Sequence, residues 1–246
     1  MDKFNIHYQF FLENGKSKKF TFNVEIKKAP PVNTASNQPP HWTSLESLQC
    51  PNCPLDTRIH KYCPLAINLV EIIQQFDGLI SYEKVHLIVK MQEREISRKT
   101  TLQHGMSSLM GLAIASSGCP HTSFFAPMAH FHMPLASVQE TIFRAVSSYL
   151  LSQYFLKQEG EVVDFSLEGL TDIYKNLQIV NTITAKRLRQ ITESDSAVNA
   201  IIILDTYAQA LPFVMDSALD EIKKMYLQFY QVLSKKHGSA GDGLVI

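Results

Sequence analysis

The sequence predicts an α+β fold, with a small antiparallel sheet in roughly its first hundred residues and a mainly helical second half. Three observations lead there. Apolar residues alternate at period two through Ile6, Tyr8, Phe10 and Leu12, and again through Phe20, Phe22, Val24 and Ile26. A second pair of strand-like runs, Val85 to Lys90 and Arg94 to Thr101, follows with only a tight turn between. From His104 onward, apolar spacing and capping residues are those of helices.

In chain order, residues 4–26 form a hairpin closed by Asn14-Gly15, a pair suited to a tight turn. Each strand places its large apolar side chains on one face, which needs a cover because a lone hairpin is marginal in water. APPVNTASNQPP, residues 29–40, carries no periodicity and reads as a linker. Pro64 to Phe76 has apolar residues at Leu65, Leu69, Ile72, Ile73 and Phe76, a helix closed by Asp77-Gly78. Proline suits its first position and puts Cys63 at the N-cap.

His104 to Ser116 is apolar or small nearly all round, as a central core helix would be, and Gly118 ends it. Ser137 and Glu140 make a capping box for a helix to about Leu156. Another runs from Leu167 toward Ile191, and a further one starts at Asp195 or Ser196 and is broken or kinked by Pro212. A last helix is expected from Ser217 to Lys236, before a loose tail. The chain divides into an α+β domain, residues 1–156, and a helical extension, residues 157–246, packed on it.

Lys and Arg number 23 against 23 Asp and Glu, so no general field favours nucleic acid or an anionic membrane. MDKFNIHYQF lacks the features of a signal peptide, and no apolar run approaches the roughly 20 residues that span a bilayer. The expectation is a cytoplasmic protein with no nucleic-acid or membrane partner. Disulfides are disfavoured there, so clustered cysteines point to metal or redox chemistry.

The chain has four cysteines, Cys50, Cys53, Cys63 and Cys119, and a proline follows each. With proline at about 5% of residues, chance gives that on the order of once in 10^5 sequences. Proline pushes the residue before it toward extended backbone, so each thiol is presented stiffly at a turn or helix entrance. Two ligand sets fit the spacing. Cys50, Cys53, Cys63 and Cys119 would close a four-thiolate site, or His60 would replace Cys119 in a compact C-x2-C-x6-H-x2-C knuckle. Both suit tetrahedral zinc, and the all-cysteine set also suits a [4Fe-4S] cluster. Pro54 stands where zinc knuckles usually place glycine, so the loop takes another path.

Cys119 also opens CPHTSFFAPMAHFHMP, which holds His121, His130 and His132. In extended backbone His130 and His132 share a face, so a second metal site with His104 as a further candidate stands against ordinary packing at a core edge. No acidic residue lies near them in sequence to serve as base or supporting partner. The chain has no G-x-S-x-G, Walker loop, G-x-G-x-x-G or H-E-x-x-H. Lys186, Arg187 and Arg189 read as a solvated helix face.

The hairpin with YQF and ENG, then CPNCPL, CPLAINL, SSLMGLAIASSGCP and PMAHFHMPLA, resembles a family of uncharacterised bacterial proteins, a domain of unknown function. The resemblance covers residues 4 to about 156 and implies no activity. The functional expectation is a non-enzymatic accessory or regulatory protein with a structural zinc ion, acting through a protein partner. The alternatives are a [4Fe-4S] redox or sensor protein, and a metalloenzyme using His121, His130 and His132.

Overall fold

A computed structural model describes residues 4–24, 38–191, 195–227 and 229–230. Strands β1 (Phe4–Leu12) and β2 (Ser17–Val24) form the expected hairpin, and Gly15 at φ 78° supplies the turn. β3 (Lys84–Lys90) and β4 (Glu95–Thr101) form the second. The two hairpins join through an antiparallel β1–β3 pairing that aligns Tyr8 with Val89, Phe10 with Leu87 and Leu12 with Val85. The result is one sheet in the order β2-β1-β3-β4. Ile26, most of the linker at 29–40, and the chain beyond residue 230 lie outside the described residues.

Period-two alternation puts Ile6, Tyr8, Phe10, Leu12, Phe20, Val85, Leu87 and Val89 on one buried face. Its cover is α1 (Pro64–Phe76) and α2 (Leu102–Ala115). Phe76 of α1 meets the rings of Phe10 at 4.9 Å and Phe20 at 5.1 Å. α2 lies so close to β1 that a Cβ on Gly105 would stand 2.7 Å from the Phe10 ring. Glycine is what permits that approach. α2 is buried nearly all round, and Gly118 at φ 76° turns the chain away after it.

A 3-10 helix (Pro120–Phe125) leads into the short α3 (Ala126–His130). α4 (Val138–Gln158) opens on the expected capping box, with Ser137 and Glu140 each accepting the other's backbone N–H. α5 (Glu168–Arg189) and α6 (Asp195–Met225) follow. Val180, Ala185, Leu188, Ala197, Ala200 and Ile201 of these last helices share a core with the sheet and α2. A second core gathers Ile142, Val146, Tyr149, Leu170, Tyr174, Leu211 and Met215 from α4, α5 and α6.

One expectation fails in α6. The helix runs unbroken through Pro212, so the separate helix expected from Ser217 is its continuation. Proline removes the N–H that would bond the carbonyl four residues back, that of Ala208. Gln178 of α5 replaces it, its Nε2 donating to the Ala208 carbonyl at 3.0 Å. The same helix corrects a second expectation, being long and apolar enough by length and composition to cross a membrane. Here its Ala200, Ile201, Ala208 and Leu211 are core residues. Asp195 fastens its start, accepting from the Ser81 N–H at 3.0 Å and the Ser81 hydroxyl at 2.8 Å.

Candidate metal centre

The Cys-Pro pairs shape the backbone as the prolines require. Cys50 and Cys53 bracket a turn closed by the Cys53 N–H on the Cys50 carbonyl at 2.9 Å, with Pro51 inside it. Cys63 precedes α1 with extended backbone (φ −73°, ψ 117°), and its N–H donates to the Thr43 carbonyl at 2.8 Å. Cys119 precedes the 3-10 helix in the same manner (φ −64°, ψ 129°).

All four thiols line one small cavity of about 20 Å³, together with Leu45, Leu65, Val180, His121 and Arg187. Cys119 is thereby brought to a loop far earlier in the chain. His60 is exposed and does not line this cavity, its N–H being held by the Asp56 carbonyl at 2.8 Å. Among the described residues, no group of three or more His, Cys, Asp or Glu side chains is arranged to hold a metal ion, although the four cysteines line one cavity.

Burial pushes the Cys50 thiol up to about 12, the negative potential of Cys63, Cys119 and Cys53 adds to it, and Arg187 opposes. Burial likewise raises Cys119 to about 11, against the backbone N–H groups of His121 and Thr122 that favour its thiolate. Protonated thiols have no charge to hold a common cation, and a metal ion would supply the drive to ionise and close.

Arg187 corrects the reading of the 186–189 patch as a solvated face. Its neighbours Lys186 and Arg189 are exposed, but Arg187 is 3% exposed. It donates through Nη1 to the carbonyls of Trp42 at 2.5 Å and Ser44 at 2.9 Å, and through Nη2 to that of Leu48. One guanidinium thus clamps the loop ahead of Cys50 and sets positive charge beside the thiols. The only sequence signal for it was the apolar spacing of α5, which places 187 on the same face as 180, 184 and 188.

The three histidines go to three places. His121 joins the cysteine cavity, where its Nε2–H donates to the Asn52 carbonyl at 2.5 Å. His130 ends α3 with its ring edge-on to Phe131 at 4.7 Å. His132 Nε2 and the Tyr8 hydroxyl share a hydrogen bond at 2.5 Å, Tyr8 in turn lying 3.0 Å from the Ser108 hydroxyl. Burial first, and Arg144 second, push His132 down to about 3, so its ring is neutral. His104 is exposed on α2.

A family model described as a domain of unknown function, DUF6901, matches residues 6–227. The chain belongs to the DUF6901 family. No curated protein and no solved structure shows significant similarity to it. The DUF6901 match extends well past residue 156, where the sequence resemblance stopped, and takes in α5 and α6. The helical half is therefore part of the family's domain. That agrees with α5 supplying Arg187, Val180 and Thr184 to the wall of the cysteine cavity.

Proposed function

We propose that Cys50, Cys53, Cys63 and Cys119 hold one structural zinc ion, and that the protein is an accessory or regulatory factor acting through a protein partner. The observation that supports this most is the convergence of Cys119 with three cysteines from a distant loop on one cavity beside a buried arginine. A four-thiolate zinc site carries two net negative charges, and Arg187 offsets one of them where water cannot. A cavity of about 20 Å³ matches one ion, being close to the minimum that holds a water molecule. A four-iron cluster would require the walls to move apart, which places the [4Fe-4S] reading second.

Closing the site would tie the 38–63 segment to the end of α2 and to α5, the linkage an isolated loop of Cys-Pro turns lacks. For a partner surface, α4 offers Phe143, Leu150, Leu151, Tyr154 and Phe155, all exposed. The metalloenzyme reading has less support, since His121, His130 and His132 point to separate surroundings.

The test is metal analysis with an absorption spectrum on protein purified without oxygen. One colourless zinc per chain is expected, lost in Cys119→Ser and kept in His60→Ala. A brown cluster protein would overturn zinc, and metal-free protein would overturn the site. Loss of metal in His60→Ala with retention in Cys119→Ser would replace this ligand set with the compact knuckle.

A further inference from the structure

Between the sheet-side core and the second core lies a cavity of about 410 Å³, walled by α2, α4, α5, α6 and the 125–137 segment. That is within the size of small-molecule sites, which lie preferentially between packed elements and carry a few polar groups in an apolar lining. The apolar wall includes Leu112, Ala115, Phe125, Leu177 and Leu204. The polar lining is one-sided, with Arg98, Arg144, His104 and His132 present and no aspartate or glutamate.

Arg144 is the inner cation. Its Nη2 donates to the Met128 carbonyl at 2.8 Å and the Phe131 carbonyl at 3.3 Å, while Nε and Nη1 have no hydrogen bond among the described residues. Nor does any described carboxylate form an ion pair with it. Glu140, one turn earlier, is engaged by the Ser137 N–H at 2.7 Å. His132 shares a hydrogen bond with the Tyr8 hydroxyl through Nε2, and it lines the same cavity. Asn181 is 1% exposed, lines the same cavity, and its Nδ2 has no partner. An orphaned buried donor is costly unless something accepts from it. Leu135, also in the wall, holds φ 56°, a left-handed conformation that a leucine adopts at a cost.

The lining residues of α5 are Tyr174, Leu177 and Asn181. At 1.5 Å per residue, Tyr174 and Asn181 stand about 10 Å apart along that helix. Arg144 lies near Tyr174, whose hydroxyl it influences. Along α5 the wall therefore presents Tyr174 beside Arg144, then apolar Leu177, then the Asn181 amide about two turns from Tyr174. We propose that the cavity binds a largely apolar molecule bearing one carboxylate, the carboxylate taken by Arg144. A charged guanidinium N–H makes a strong hydrogen bond to a carboxylate, which Nε or Nη1 can supply, and an apolar chain fits the space between α2, α5 and α6.

Titration calorimetry on the full chain with decanoate and decanol, both below micelle-forming concentration, tests this. Saturable one-to-one binding of decanoate is expected, at least tenfold tighter than decanol. Arg144→Gln should weaken decanoate binding roughly ten- to hundredfold, as for a lost charged hydrogen bond. Because that variant also gives up two carbonyl contacts, Gly111→Leu provides a second route. Gly111 lines the cavity, and a Cβ there meets only Leu204 Cδ2, at 3.5 Å, so leucine fills the space while leaving Arg144 in place. This variant should fold, with an unchanged or higher melting temperature, and bind decanoate at least tenfold more weakly. No saturable binding, equal binding of decanol, or undiminished binding by Gly111→Leu each overturns the proposal.

Discussion

The side-chain amide of Gln178 bonds the carbonyl of Ala208, the acceptor that Pro212 leaves without its helical partner. Two helices are thereby coupled through one buried backbone group. Gln178→Ala should destabilise the fold by about 1–3 kcal/mol, since the carbonyl is then left unpaired in the core. Pro212→Ala restores the helical N–H, so in that background the same change should cost less than about 1 kcal/mol. Urea unfolding of the two single variants and the double variant measures the coupling, and additive losses would refute it.

Gly105 is a packing glycine. An alanine methyl would meet the Phe10 ring, itself locked between Tyr8, Phe20 and Phe76. Gly105→Ala gains helix propensity yet should lose about 1–3 kcal/mol through overpacking. Phe10→Leu should cost less in the Gly105→Ala background than in the native chain, which a thermodynamic cycle on denaturant midpoints would show.

The elements that were legible in the sequence are those whose determinants are local. The Asn14-Gly15 turn, Pro64 at the start of α1, the Ser137–Glu140 box and the alternation of β1 each act within a few residues. Pro212 misled because its local effect, a lost N–H, is cancelled by Gln178 from another helix. Arg187 misled for a similar reason. A basic residue between Lys186 and Arg189 looks solvated until the three carbonyls of the 42–48 loop are placed over it. The four cysteines were visible as candidates from their prolines, but their meeting in one cavity depends on long-range packing of α2 and α5. Nothing local announces the larger cavity at all, because its walls come from four helices.

His132 gives the fold a pH dependence with a definite sign. Its folded value, about 3, lies below the unfolded value of about 6.5. Above 6.5 both states are neutral and the contribution is fully present. As pH falls from about 6.5 toward 3, the unfolded chain takes up a proton that the folded chain refuses, and stability declines. The loss from this group amounts to about 2–4 kcal/mol, allowing for partial exposure. His132→Gln keeps a hydrogen-bonding group for Tyr8 but cannot titrate. Its stability relative to native should rise between pH 7 and pH 4, as measured by denaturant midpoints at both. A constant difference would assign the acid sensitivity elsewhere.

Arg187 should matter to the fold separately from any metal. Arg187→Met leaves the carbonyls of Trp42 and Leu48 without their donor, leaves that of Ser44 with only the Ser47 hydroxyl, and removes the positive charge beside the thiols. A loss of about 3–5 kcal/mol is expected, in the range seen when one partner of a buried polar network is deleted. Arg187→Lys keeps the charge but not the fork, and should recover only part of it. Unfolding in the presence of a strong chelator isolates the clamp, since a loss that persists there owes nothing to a bound ion. A Met variant as stable as the native chain under chelation would show that the 42–48 loop is held by other contacts. Metal content of the same variants then tests the proposed zinc site, for which the Met variant should lose zinc to the chelator faster than the Lys variant does.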